Sequence, residues 1–152
     1  MKKFGKYFLL ATGFVLLATF ARIPGAVINV HAHDRGCSVA SLKGAYAYLR
    51  SGTNTSMGGP IAEIGIDVFN GQGTRGIVRS AGSSLDGSFD WTDASWPNGT
   101  YTVDPDCTGS LFAADGTKVN NIIVLDGGKR FSVLSAPLET TKVITGEGTR
   151  LE

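Results

Sequence analysis

The 152-residue chain carries two cysteines, two histidines and 21 glycines, with a formal charge of +1. Four of its basic residues (Lys2, Lys3, Lys6, Arg22) crowd the N-terminus, where no acid accompanies them. Beyond residue 32 the formal charge is about −3, and no basic patch remains there to point to nucleic acid. His31 and His33 are the only histidines, so Ser-His-Asp and Cys-His catalysis and nitrogen-rich metal sites are excluded.

Residues 1–32 read as a secretory leader. Lys2, Lys3 and Lys6 precede an uncharged apolar run from Tyr7 to Ala21, which Arg22 and Pro24 interrupt. That run is shorter than the ~20 apolar residues of a membrane-spanning helix. Small residues that would suit cleavage are Ala21, Ala26 and Ala32, the last favoured; an uncleaved N-terminal anchor is the alternative. Residues 33–152 are expected to form one domain, secreted or periplasmic. An exported chain with two cysteines is expected to bond Cys37 to Cys107. In the chain-entropy model, closing that loop of about 70 residues contributes about 4 kcal/mol.

Past the leader no helical period survives. Short alternating or apolar runs at 44–50, 61–69, 75–82, 86–103, 107–113, 119–125, 129–135 and 141–150 read as strands. The run 86–103 is expected to break near Pro97. Asn70-Gly71-Gln72-Gly73, Asp115-Gly116 and Asp126-Gly127-Gly128 read as tight hairpins. Such short connections require antiparallel pairing. The expected fold is all-β, an eight-stranded antiparallel up-and-down barrel whose closure removes its edges; an open sandwich is the alternative. Ser51–Pro60, rich in Gly and Ser, reads as a plain connection or as a mobile loop over one barrel mouth.

With the cysteines paired, proton-moving chemistry falls to carboxylates and phenols. In the run Ile61–Phe69, Glu63, Gly65, Asp67 and Phe69 share one face, and Ala62, Ile64, Ile66 and Val68 the other. Either face could line the interior. Glu63 and Asp67 lie about 13 Å apart along a strand, too far to share a proton. They could be solvated charges, or one could be a buried general acid. Arg75 and Arg79 repeat that spacing on the next strand and could pair with them. Phe89, Trp91 and Tyr101 alternate along 86–103 and are expected to point inward. With Phe69 they would fill the core or line a pocket for a planar apolar ligand. Asp90, Asp93, Asp104 and Asp106 lack a calcium-loop pattern, and no metal is expected. Asn54-Thr55-Ser56 and Asn98-Gly99-Thr100 match the glycosylation sequon.

Cys37-Ser38, the run Ser41–Tyr48, Gly65 with Phe69–Gly73, the stretch Gly99–Gly109 and Asp126–Lys129 together carry a resemblance. Over about residues 37–150 the chain resembles secreted proteins of the allene oxide cyclase barrel-like superfamily. The resemblance implies an eight-stranded antiparallel barrel with a hydrophobic interior cavity. Characterised members of the wider superfamily cyclise reactive lipids or polyketides without a cofactor. Glu63 and Asp67 depart from it, standing where apolar or small residues are usual.

The expected function is binding of a small lipophilic molecule by Phe69, Phe89, Trp91 and Tyr101, with no cofactor. Two other functions remain open. One is a cofactor-independent cyclase or isomerase acting on a lipid or polyketide-like substrate through Glu63 or Asp67. The other is a structural or surface-interaction module contacting partners through the loop at Trp96. Neither nucleic acid nor, once the leader is removed, membrane is an expected partner; self-association is compatible with each reading.

Overall fold

The computed structural model describes residues 36–94, 96–136 and 141–152. The leader at 1–32 and both histidines lie outside the described residues. Among these residues are nine strands: β1 Lys43–Asn54, β2 Gly59–Asn70, β3 Thr74–Ser84, β4 Gly87–Asp93, β5 Gly99–Val103, β6 Thr108–Ala113, β7 Lys118–Leu125, β8 Arg130–Ser135 and β9 Lys142–Arg150. All neighbours pair antiparallel, and β9 returns to β1. β1, β2, β3, β5, β6, β7, β8 and β9 therefore close an eight-stranded barrel, and β4 is one strand more. The open sandwich is thereby excluded.

β4 and β5 are the two parts of the run expected at 86–103. Both lie along the same edge of β3, β4 beside Arg79–Ser84 and β5 beside Thr74 and Arg75. The seam between them is spliced by a side chain. Asn98 Nδ2 donates to Ile77 O at 2.9 Å, and its Oδ1 accepts from Ile77 N at 3.1 Å. Pro97, with no N–H of its own, sits in the stretch this carboxamide bridges.

The run 51–60 is not a mobile loop. β1 continues to Asn54 and β2 begins at Gly59, joined by one 3-10 turn at Thr55–Met57. Asn54 Oδ1 caps this turn, accepting from Ser56 N at 3.1 Å. A Cβ at Gly52 would stand 2.7 Å from Ile144 Cα, so glycine here marks the close approach of β9 rather than freedom.

One half of the barrel is filled. Leu42, Tyr46, Phe69, Tyr101, Leu111, Ile122, Val124, Phe131 and Val133 form its core. Phe69 is central, with its ring centroid 5.3 Å from Tyr46, 5.0 Å from Tyr101 and 5.4 Å from Phe131, each edge to face. The end below these rings is plugged by the 3-10 turn Val39–Ser41, which the Cys37–Cys107 disulfide fastens beside β6. The phenols supply what an apolar plug cannot. Tyr101 Oη donates to the carbonyls of Val39 and Leu42 at 2.7 and 2.8 Å, and Tyr46 Oη to Gly128 O at 2.5 Å. Buried polar groups at this end are thus satisfied.

Candidate functional site

On β2 the acid face turns inward. Asp67 and Phe69 are 4% and 1% exposed, whereas Ile64 on the other face is 43% exposed. The ordinary inside-apolar rule fails here because each acid meets a cation inside the barrel. Arg75 Nε and Nη2 reach Asp67 Oδ1 and Oδ2 at 3.2 and 2.6 Å, a bidentate pair. Arg50 Nε and Nη2 both reach Glu63 Oε2, at 3.1 and 2.6 Å, and Tyr48 Oη donates to Glu63 Oε1 at 2.5 Å.

Tyr48 can lie across β2 to reach Glu63 because its cross-strand partner is Gly65. A Cβ there would stand 2.6 Å from the Tyr48 hydroxyl. Burial raises the Tyr48 pKa, and the adjacent Glu63 carboxylate raises it further. Tyr48 is therefore a proton donor that keeps its proton. Burial also pushes the Asp67 carboxyl up, against the pull of the Arg75 guanidinium.

Arg75 and Arg79 do not share a face. Ile66 and Asp67 are consecutive on β2, but their partners are Arg79 and Ile77. Val78 is the extra residue of a β-bulge, and it reverses the alternation. Arg75 thus points inward to Asp67. Arg79 points outward, 3.6 Å from Asp93 and over the Trp91 ring at 5.3 Å from its centroid.

The structure does not bring the four aromatic residues together. Phe69 and Tyr101 point inward but lie in the packed half, at 1% and 2% exposure. Phe89 and Trp91 are 37% and 46% exposed, because β4 runs beyond the barrel rim with no wall opposite. They also fail to share a face. Phe89 pairs with Gly82 and Thr92 with Ser80, three residues against two, so the strand carries a bulge between them. Phe89 lies against Gly82, Trp91 on Arg79.

The cavity lies in the other half, above the aromatic core and open at one end, with a volume of about 450 Å3. This falls within the ~300–1,000 Å3 typical of small-molecule sites. Its polar lining includes Arg50, Asn54, Glu63, Arg75, Asn98 and Asn120, and its apolar lining Ile61, Ile77, Val119 and Ile144. The hydrophobic interior cavity that the resemblance implies is here mixed and strongly polar. Arg50, Arg75, Ile77 and Asn120 also border a recess of about 20 Å3 beneath it. Asp67 borders only that recess, while Glu63 faces the main cavity.

Asn120 is the functional candidate that sequence reasoning missed. It is 8% exposed, and its side-chain amide makes no hydrogen bond to the described residues. A signal was present, since Asn120 alternates with Ile122 and Val124 on the core face of its strand. The two sequon asparagines are both engaged: Asn54 caps the 3-10 turn and Asn98 splices the seam.

No cluster of three or more metal-ligating side chains occurs among the described residues, nor any helix long and apolar enough to cross a membrane. No protein-family model, curated protein or solved structure matches this chain.

Proposed function

We propose that this protein is an exported binding barrel that holds a small organic molecule in its open half. The observation that carries the reading is Asn120, a buried residue whose amide has no partner among the described residues and borders a cavity of about 450 Å3. Because the amide reaches the open cavity, solvent can satisfy it in the empty barrel and a polar group of the ligand can take that place. Ile61, Ile77, Val119 and Ile144 would contact the apolar part of the ligand, and the floor at Arg50 and Asn120 its polar part. The lipophilic ligand expected from sequence thus becomes an amphipathic one, and its contacts move from Phe69, Phe89, Trp91 and Tyr101 to these residues. Export, a place in the allene oxide cyclase barrel-like superfamily and self-association belong to the same proposal.

Native mass spectrometry of the protein purified from its own host tests the reading. The expected result is a retained small molecule that the Asn120→Leu variant loses. A retained molecule bound equally well by that variant would move the site elsewhere.

A cofactor-independent cyclase or isomerase is the second reading, favoured by the Glu63 carboxylate facing the cavity beside Arg50. In that reading Glu63, rather than Asp67, is within reach of substrate, and its hydrogen bonds from Tyr48 and Arg50 hold the guanidinium in place. Loss of turnover in a folded Glu63→Gln variant, with turnover kept in Asp67→Asn, is its expected signature.

A further inference from the structure

The side-chain groups that line the cavity without any partner among the described residues are mostly donors. Both oxygens of Glu63 and both of Asp67 accept from their partners. Asn54 Oδ1 accepts from Ser56, Asn98 Oδ1 from Ile77 N, and Ser135 Oγ from Ile144 N. The donors are not used up in the same way. Arg50 and Arg75 each engage their carboxylate through Nε and Nη2, so their Nη1 ends have no acceptor among the described residues. The same is true of Asn54 Nδ2 and of the whole Asn120 amide. Among the described residues no buried side-chain polar atom is left without a partner, so these groups, which line the cavity, open onto it rather than into packed protein.

We infer that the ligand is an organic acid whose carboxylate is received by the Nη1 ends of Arg50 and Arg75 and by Asn120 Nδ2. A carboxylate brings acceptors only, as many as four lone-pair sites, in a plane that suits guanidinium edges. The two ion pairs serve this end. Glu63 and Asp67 each fix an arginine by Nε and Nη2 and leave its remaining edge at the junction of cavity and recess. An amine would present donors to oxygens that each already accept a hydrogen bond, and it would leave the unpartnered N–H groups of the wall without an acceptor. Asn120 Oδ1 is the exception, and it suits a hydroxyl or a second polar group on the acid.

This inference rests on the binding reading above and fails separately from it. The test titrates three isosteric probes, phenylacetate, phenylacetamide and phenethylammonium, into the folded protein. Amide and methyl resonances of Ile61, Ile77, Val119 and Ile144 report binding in the cavity. Phenylacetate is expected to bind about tenfold more tightly than phenylacetamide, as charge-assisted hydrogen bonds exceed neutral ones, with phenethylammonium weakest. The Asn120→Asp variant should abolish that preference and Asn120→Leu should weaken it, both folding normally because the amide holds none of the described residues. Equal binding of acid and amide, or preference for the amine, would overturn the carboxylate while leaving the cavity a binding site. Unchanged phenylacetate affinity in Asn120→Asp would overturn the assignment of the floor. Silence of the four residues toward all three probes would sink both readings.

Discussion

The two halves of the barrel solve opposite problems with the same pleat. Below Tyr48 the inward positions carry rings that meet edge to face around Phe69, and every phenol finds a carbonyl. Above it the same columns of β1 and β2 carry Arg50, Asn54 and Glu63, and space is left. The lower half is stabilised by complementarity, so any void there is a loss. The upper half keeps a void and spends its polar groups in pairs, leaving donors over. Stability and binding are thus separated along the barrel axis rather than competing within one core.

The largest effect expected from breaking this contrast is Phe69→Ala. It opens a cavity among three rings and should cost about 3–5 kcal/mol in chemical denaturation; a loss under about 1 kcal/mol would mean the lower half is not the stabilising one. Arg75→Met should cost a similar ~3–5 kcal/mol, because Asp67 is left buried and unpaired. Adding Asp67→Leu should recover most of it, and failure to recover would show that the pair contributes more than mutual compensation.

A smaller effect follows from the phenols. Burial raises the pKa of Tyr46, Tyr48 and Tyr101 from the ordinary 10.0. The folded state then holds these protons when the unfolded state has begun to release them. Stability is present in full below pH 10 and is lost as pH rises above it, through the raised values of the folded state. Tyrosinate absorbance should appear together with unfolding, and its appearance in the still-folded protein would contradict the burial. The smallest effect is Asn120→Leu, which should leave stability within about 0.5 kcal/mol or raise it, since no partner among the described residues is orphaned. A clear destabilisation would place Asn120 among the structural residues.

Much of the fold was legible because turn chemistry and alternation are local signals. The eight runs, the Gly-rich hairpins, the break near Pro97 and the Cys37–Cys107 bond each correspond to an observed feature. The faces were harder. Alternation along Ile61–Phe69 left two orientations, and the inward acids are explained only by Arg50 and Arg75, which come from other strands. Bulges hid the rest. Val78 separates Arg75 from Arg79, and the irregularity beside Asp90 separates Phe89 from Trp91. Nothing in Gly76-Ile77-Val78-Arg79 marks an extra residue, since no glycine or proline stands at the bulge itself. Tyr46, Tyr48 and Arg50 at alternate positions did carry a readable passage from aromatic to charged, as Asn120 did on its own strand.

The Asn98 carboxamide has a mechanical meaning. It stands in the ladder along β3 where a peptide group would, between the rungs that β4 makes at Arg79–Ser84 and those that β5 makes at Thr74 and Arg75. Backbone bonds from Ala94 N to Val78 O and from Asn98 N to Arg75 O flank it, so with an apolar residue there both strands would stay on β3 while Ile77 N and O lost their partner. The junction is thus held on both sides by main chain and in the middle by a single amide that the chain could lose or regain in one substitution.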